Sequence, residues 1–206
     1  IVQVAENAIL SASLSPEDPI AACAGAFNDI LLISLHSGKI QKKLKNPQGT
    51  IRSVKFDPKG KYLAAAGDDQ SVYIWQKASN GRLYDWNFIN KHSDHPDMIF
   101  SIAFSPDGIF LASADNQGQV IIWNVLLKHK AAQFKAHSGR IFSIDFSPDG
   151  KKLITGSRDN TIKIWSIPDF QEIATLRGHD WEVRSVAFSP DGNLIASASA
   201  DYTIRL

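Results

Sequence analysis

A five-residue turn sequence, Phe-Ser-Pro-Asp-Gly, returns along this chain at a fixed interval. Its copies begin at Phe104, Phe146 and Phe188, so that consecutive copies are 42 residues apart. A related copy, Phe-Asp-Pro-Lys-Gly, begins at Phe56, 48 residues before Phe104. Leu14 lies another 42 residues upstream and is followed by Ser-Pro-Glu-Asp. A repeat of this length indicates a chain of five similar units that bury their apolar faces against one another.

Within each repeat the apolar residues follow the period of a β-strand. Val54 and Phe56 alternate with Ser53 and Lys55, as in a strand with two unlike faces. Segment 21–25 is small and apolar, which is typical of an inner strand between neighbouring sheets. We therefore predict a single all-β domain, a β-propeller of about five four-stranded antiparallel blades. The predicted units are 1–44, 45–91, 92–134, 135–176 and 177–206.

The signature residues of the repeats resemble those of the WD-repeat β-propeller family over essentially the whole chain. They are Gly178-His179, the Phe-Ser-Pro-Asp-Gly turns, the aspartates at 69, 159 and 201, and the Ile-Trp pairs at 74–75, 122–123 and 164–165. The chain also departs from the family pattern. No literal Trp-Asp pair occurs, Gln117 stands where an aspartate is expected, and the first repeat has almost none of the signature polar residues.

The family's usual ring has seven blades, so the resemblance implies that the five units form an open arc of a larger ring. A closed five-bladed ring is the alternative, and it would pair Ile1–Val4 beside residues 201–206. The open arc predicts that Val186 and Ile195 lack the neighbour that their counterparts in the fourth repeat possess.

The second repeat carries six extra residues after its tryptophan, Trp75. Asn80-Gly81 is a strong signal for a hairpin turn in this insertion. An outer strand is predicted to follow over residues 83–89, with Tyr84, Trp86 and Phe88 on one face.

One recurring polar set invites comparison with a catalytic triad. His137, Thr155 and Asp159 supply an imidazole, a hydroxyl and a carboxylate in the fourth repeat. The resemblance implies instead a buried hydrogen-bond relay, in which the Trp165 indole and the Thr155 hydroxyl meet His137 and Asp159 holds the imidazole. A catalytic site is not expected to recur in graded form, yet this set does, as His179, Ser197 and Asp201; as His95, Ser113 and Trp123; and as Asp69 and Trp75.

Composition and motifs argue against several other classes of function. The net charge is +1, which argues against nucleic acid as the partner. No run reaches the ~18 apolar residues of a membrane span, so no membrane partner is predicted. No Gly-rich phosphate loop occurs, and no cofactor is expected. The single cysteine, Cys23, is expected to be buried in a strand and indicates a reducing compartment, the cytoplasm or, in a eukaryote, also the nucleus.

A metal site is the weaker interpretation of one histidine cluster. His92 and His95 are three residues apart, with Asp94 and Asp97 nearby. No cysteine or further histidine completes a ligand set, so a solvated loop is favoured and no metal is predicted.

In the family, partners usually dock where the loops before the first strand and between the second and third strands open on one face. Phenylalanine, tryptophan, methionine and arginine at these positions are typical of interface hot spots. We predict a non-catalytic scaffold that binds a protein or peptide there. The alternatives are a sensor or assembly module of a larger multidomain protein, a propeller lectin or enzyme, and phenylalanines that simply fill the channel mouth. The predicted contacts are Arg52, Asp68, Met98, Phe100, Asn116, Arg140, Phe142, Arg158, Trp181, Glu182 and Arg184.

Overall fold

β-strands make up the regular structure of this chain in the computed structural model, which describes residues 7–79 and 82–206. No helix in those two ranges is long and apolar enough to cross a membrane. The strands are β1 (Ile9–Leu14), β2 (Ile20–Gly25), β3 (Phe27–Ser34), β4 (Ile40–Leu44), β5 (Ile51–Phe56), β6 (Tyr62–Gly67), β7 (Val72–Lys77), β8 (Trp86–His92), β9 (Ile99–Phe104), β10 (Phe110–Asp115), β11 (Gln119–Asn124), β12 (His129–Lys135), β13 (Ile141–Phe146), β14 (Lys152–Ser157), β15 (Ile162–Ser166), β16 (Glu172–Leu176), β17 (Val183–Phe188), β18 (Ile195–Ser199) and β19 (Ile204–Arg205).

Strands that follow one another in the chain pair with one another, which gives five up-and-down sheets in the described ranges. Four of these sheets have four strands each, β1–β4, β5–β8, β9–β12 and β13–β16, and the fifth holds β17–β19. In the fourth sheet, for example, β14 pairs antiparallel with both β13 and β15. The prediction of an all-β fold built from antiparallel propeller blades is confirmed.

The repeated turn sequence closes the hairpin between the first two strands of a sheet. In the third sheet Ser105 Oγ donates to Asp107 Oδ1 at 2.6 Å and accepts the Phe110 N–H at 2.9 Å. The glycine that ends the turn, Gly108, has a φ of 73°, a left-handed conformation that glycine adopts without steric cost. Equivalent bonds from Ser147 and Ser189 close the turns of the next two sheets. The turn sequence therefore sets where each second strand begins.

The chain divides into two compact units, Ile1–Ile99 and Phe100–Leu206. In the first unit, β1 and β2 pack against β5. The core there includes Leu32, Val54 and Trp75, all at most 2% exposed. The small residues of β2 and of β6 are buried along their whole length, because sheets pack on both of their faces.

In the second unit β13 packs against β10, and β17 packs against β13 and β14. The spacing between the fourth and fifth sheets is narrow. A Cβ added at Gly156 would lie 2.8 Å from a Val186 methyl carbon and 2.9 Å from one of Val183. The second strand of the fourth sheet therefore needs a residue without a side chain at this point.

Serine side chains on first strands hold neighbouring sheets together. Ser143 Oγ accepts the Val186 N–H at 3.2 Å and lies 3.3 Å from the Val186 carbonyl oxygen, to which it donates. Ser11 makes the same two contacts with Val54 in the first unit. The sequence has serine at this position of all five repeats, as Ser11, Ser53, Ser101, Ser143 and Ser185. The repetition of this serine is the sequence signal for the inter-sheet bonds, which were not predicted.

Two expectations about particular residues are wrong. Val186 does not lack a neighbour: it is 4% exposed, against 5% for its counterpart Ile144, because it packs against Ile154 and Ile162 of the fourth sheet. Ile195 does remain half-buried, whereas its counterpart, Leu153, is fully buried. The outer strand of the second sheet begins at Trp86 and not at residue 83, because Leu83 and Tyr84 pack on the core before the strand starts.

The predicted hairpin at Asn80-Gly81 and the pairing of Ile1–Val4 lie outside the described residues, so both stay predictions.

Ser143→Ala is expected to lower the free energy of unfolding by about 1–3 kcal/mol, because it leaves the buried Val186 backbone groups without their partner. Urea denaturation followed by tryptophan fluorescence measures the change. Ser185→Ala is the matched control, since Ser185 occupies the same repeat position and is exposed. Equal losses for the two variants would contradict a role for the inter-sheet bond.

Candidate functional site

The fourth repeat contains a chain of buried polar side chains. His137 Nε2 lies 2.7 Å from Thr155 Oγ1, and the Trp165 indole N–H donates to the same oxygen at 3.1 Å. On the other side of the ring, His137 Nδ1 lies 3.0 Å from Asp159 Oδ2. An ionised carboxylate only accepts, so in the neutral imidazole the ring proton is on Nδ1, where it is donated to Asp159. Nε2 is then the acceptor, and the Thr155 hydroxyl donates to it while accepting the indole N–H.

These contacts set the protonation state of the carboxyl group. Burial alone would raise the pKa of Asp159, but hydrogen bonds from His137 and Thr161 outweigh it and hold this pKa well below its usual range. The Thr161 hydroxyl donates to Asp159 Oδ1 at 2.6 Å, and the Ser138 N–H donates to Oδ2 at 3.2 Å. Asp159 therefore ties the loop before β13 to the turn between β14 and β15 as an ionised acceptor.

The fifth repeat has the same arrangement with serine in place of threonine. His179 Nε2 lies 2.9 Å from Ser197 Oγ, and His179 Nδ1 lies 2.8 Å from Asp201 Oδ2. The Thr203 hydroxyl donates to Asp201 Oδ1 at 2.7 Å. Here too the pKa of the Asp201 carboxyl is lowered, since these bonds outweigh the effect of burial.

In the third repeat the hydrogen bond between the tryptophan and the hydroxyl group is retained. The Trp123 indole N–H donates to Ser113 Oγ at 2.8 Å, and His95 is buried. Gln117 replaces the turn aspartate, and Asp115 provides a carboxylate two residues earlier. Asp115 Oδ1 accepts the backbone N–H groups of Gln117 and Gln119, each at 2.9 Å. Asp115 was not among the predicted relay residues, and its counterpart in the fourth repeat is Ser157.

In the second repeat a tyrosine, and not a histidine, donates to the turn aspartate. The Tyr73 hydroxyl donates to Asp69 Oδ2 at 2.6 Å, and the Tyr73 ring stacks on Trp75 with centroids 6.0 Å apart. Burial and the bond to Asp69 raise the pKa of Tyr73. Pro47 stands where later repeats have histidine, so the tyrosine supplies the donor from β7. The expected pairing of Asp69 with Trp75 is corrected accordingly: Tyr73 lies between them.

The burial of these sets limits their chemistry. Thr155 is 0% exposed and His137 is 2% exposed, so the hydroxyl that resembles a nucleophile is closed to a substrate. Every polar atom of the His137 ring faces another side chain. The arrangement is suited to fixing loop positions.

A β-bulge occurs at the same position in β1, β5, β13 and β17. In β5, β13 and β17 the pairing register shifts around the second residue of the strand, which leaves Arg52, Phe142 and Arg184 as extra residues. Leu10 takes the same place in β1. Bulges bend a strand and re-aim side chains. The sequence shows these positions as equivalent but does not show the bulge.

Four residues of the second compact unit, Phe100, Arg140, Phe142 and Arg184, form what we call the arginine–phenylalanine ladder. The Arg140 guanidinium carbon lies 4.2 Å from the Phe100 ring centroid and 5.3 Å from that of Phe142. The Arg184 guanidinium carbon lies 4.3 Å from the Phe142 centroid. The two rings meet edge to face, with centroids 6.0 Å apart. These distances are those of cation–π contacts, which hold each guanidinium against a ring.

Further predicted contacts adjoin the ladder. The Arg140 Nε–H donates to Asn116 Oδ1 at 2.7 Å. Glu182 pairs with two arginines, since its Oε1 lies 3.1 Å from Arg158 Nε and its Oε2 lies 2.5 Å from Arg184 Nη2. Next to Glu182, the Trp181 side chain is 56% exposed.

Three residues predicted to belong to the same site lie in the first compact unit. Arg52 forms an ion pair with Asp68, with Nη2 3.3 Å from Oδ2 and a second, closer contact from Nε. The Met98 N–H donates to Asp97 Oδ1 at 2.7 Å. Their membership of one surface with the ladder stays a prediction.

The histidine cluster near the start of the third repeat shows no metal geometry. His92 Nε2 accepts a hydrogen bond from Asn90 Nδ2 at 2.9 Å. Burial lowers the pKa of His92, with the nearby Asp94 carboxylate acting in the opposite direction. Across residues 7–79 and 82–206, no three His, Cys, Asp or Glu side chains are arranged to hold a metal ion.

The model of the family described as "WD domain, G-beta repeat" matches this chain four times, over residues 38–76, 86–124, 128–166 and 170–206. The chain belongs to the WD40 family. Each WD40 match begins near or in the outer strand of one sheet and extends to the third strand of the next. The match at 128–166, for instance, runs from β12 to β15. One WD40 sequence repeat therefore joins two structural blades.

Short segments of the chain are also similar to parts of longer curated proteins. Ribosome biogenesis protein ERB1 of Candida albicans is 39% identical over 51 residues, which is 25% of this chain and 6% of that protein. Protein HIR1 of Phaeosphaeria nodorum is 29% identical over 71 residues, or 34% of this chain and 7% of that protein. ERB1 of Candida glabrata is 38% identical over 54 residues, 26% of this chain and 7% of that protein. The matched part of this chain thus spans less than a tenth of each relative.

The lowered pKa of Asp159 predicts how the stability of this WD40 chain responds to acid. A carboxyl whose pKa is lower in the folded state adds stability above its unfolded pKa of about 4, and that stability is lost as the pH falls below this value. Asp159→Asn should therefore lower the free energy of unfolding at neutral pH and flatten its decline between about pH 5 and pH 3. Urea titrations at stepped pH measure both effects.

The exposed Asp169 provides a control for that experiment, because Asp169→Asn removes a carboxylate outside the relays. Parallel stability curves for Asp159→Asn and the unmodified chain would contradict the assigned role of Asp159.

Proposed function

We propose that this WD40 chain is a non-catalytic scaffold that binds a protein or peptide partner on the face formed by the arginine–phenylalanine ladder. WD40 repeats typically serve as protein-interaction scaffolds. The ladder is the observation that carries the proposal. It brings aromatic and arginine side chains from three sheets into contact, and these residue types dominate the energetics of protein interfaces.

The ladder has the features of a pre-organised interface. Phe100, Arg140 and Phe142 are half-buried and Arg184 is exposed, so the ladder presents surface to solvent while its members are held by one another. Side chains that are already ordered lose less conformational entropy when a partner binds. The ladder therefore favours recognition of a partner over a role limited to filling space between the sheets.

The relays support the non-catalytic part of the proposal. Their hydroxyl and imidazole groups are buried, and the set recurs from repeat to repeat with substitutions that keep hydrogen bonds and change the residue type. Such substitution preserves a structural link, whereas it would alter the reactivity of a nucleophile.

An assembly role within a larger protein fits the same surface. Segments of the chain resemble parts of ERB1, whose name states a role in ribosome biogenesis, and of HIR1. We propose that this chain likewise contributes a binding module, in the cytoplasm or the nucleus. The single cysteine, Cys23, is buried in β2, and burial raises its pKa, so this thiol is unreactive.

Selection of a phage-displayed random peptide library on the immobilised chain tests the proposal. Peptides that bind the ladder face should lose about 1–3 kcal/mol of binding free energy when Phe142 or Phe100 is changed to alanine. Isothermal titration calorimetry with synthetic copies of the selected peptides measures the loss, and circular dichroism verifies that each variant is folded.

Leu127→Ala is the matched control, since it truncates an exposed apolar side chain in the turn between β11 and β12. Selected peptides whose affinities do not respond to either phenylalanine substitution would show that partners use another surface.

A further inference from the structure

We propose that the partner of this face is an acidic peptide segment whose carboxylates pair with Arg158 and Arg184. The inference rests on the proposed function, because it specifies the chemistry of the partner bound on the same face. The charge of the face, the fixed position of the cations and the apolar surface beside them support it.

The charge around Glu182 is not balanced. One carboxylate serves two guanidinium groups, with contacts of 3.1 Å to Arg158 and 2.5 Å to Arg184. The two arginine side chains are 62% and 55% exposed, whereas Glu182 is 25% exposed. Each guanidinium carries N–H donors on several edges, and Glu182 occupies only one of them. The solvent-facing edges can therefore donate to a second carboxylate in the paired geometry typical of arginine.

The two turn aspartates nearby are already engaged. Asp159 follows Arg158 directly, but its carboxylate is held by His137 and Thr161. Asp201 is similarly held by His179 and Thr203. The relays thus keep the two turn aspartates from pairing with the exposed arginines.

The cations are also held in place before a partner arrives. Arg184 lies over the Phe142 ring at 4.3 Å while Glu182 holds its Nη2. An arginine that is stacked and paired loses less rotamer freedom on binding an anion than one that is free in solvent. Arg140 lies over the same ring at 5.3 Å and adds a further positive charge to the ladder.

Apolar surface adjoins the cations. Asn160, Trp181, Glu182 and Ala200 line an open depression of about 300 Å³. The Trp181 ring packs against Tyr202, with centroids 6.1 Å apart, and both rings are largely exposed. A peptide in which acidic residues are interspersed with bulky apolar ones matches this pattern. A nucleic acid fits less well, because it requires a continuous basic track and the chain has a net charge of only +1.

Fluorescence anisotropy with three defined probes tests the inference. The first is a fluorescein-labelled ten-residue peptide pool in which Asp or Glu alternates with Leu or Phe. The second pool replaces each acid with Asn or Gln, and the third probe is single-stranded oligo-dT. The acidic pool is expected to bind at least about tenfold more tightly than the amide pool, with an affinity that falls as NaCl rises from about 50 to 300 mM. Equal binding of the two pools, or tighter binding of oligo-dT, would overturn the inference.

Charge-changing variants locate the interaction. Arg158→Gln and Arg184→Gln should each weaken binding of the acidic pool by about tenfold. Glu182→Gln should strengthen it, because the glutamine carbonyl oxygen can still accept a guanidinium N–H, while the negative charge that competes for the two guanidinium groups is removed. A purely structural role for Glu182 predicts no such gain. Lys151→Gln is the control: it removes one positive charge at an exposed position in the turn between β13 and β14.

The two proposals fail in different ways. If the phage selection yields peptides that depend on Phe142 but are not acidic, the scaffold function stands and the acidic partner is refuted. If the acidic pool binds equally to the chain and to its Arg158 and Arg184 variants, binding occurs elsewhere and the acidic partner is likewise refuted. If no peptide depends on the ladder at all, both proposals are refuted.

Discussion

The buried hydrogen bond between His137 and Thr155 fixes the loops on which the exposed face depends. It joins the loop that leads into β13 to the middle of β14, and Asp159 extends the link to the turn after β14. Arg140 lies three residues after His137, and Arg158 lies directly before Asp159. The buried relay and the exposed arginines therefore stand on the same short segments. A substitution that breaks the relay is therefore expected to shift these segments and, with them, the positions of the two arginines.

Sheets are joined by more than apolar packing. The serine of one first strand bonds both backbone polar groups of a residue in the first strand of the next sheet, as Ser143 does with Val186. Because a sequence repeat begins near or in the outer strand of one sheet and ends in the third strand of the following one, covalent and hydrogen-bonded links both span sheet boundaries. The close approach of Gly156 to Val183 and Val186 is a third constraint, and it limits the distance between the fourth and fifth sheets.

The period of the chain was enough to predict the fold, because a repeated turn and an alternating apolar pattern specify strands and the antiparallel pairing between them. Contacts between repeats were harder to predict. Val186 was assigned to an uncovered edge, yet it faces the preceding sheet, and a one-dimensional pattern does not tell which face of a strand meets which neighbour. Tyr73 was missed because it reaches Asp69 from a strand that carries no such role in the other repeats. Arg184, one of the two partners of Glu182, is a bulge residue, and the bulge shifts the register without any mark in the sequence.

The bulge has a consequence for how such a surface can diversify. Its extra residue has no paired residue on the neighbouring strand. Its side chain therefore does not have to match a cross-strand partner. Equivalent bulges in this one chain hold Leu10, Arg52, Phe142 and Arg184, which are an aliphatic, two cationic and an aromatic side chain in one backbone setting. One backbone position of the repeat therefore accepts side chains of different chemistry. A substitution at a bulge can change what a sheet offers to a partner while the strand pairing around it stays the same.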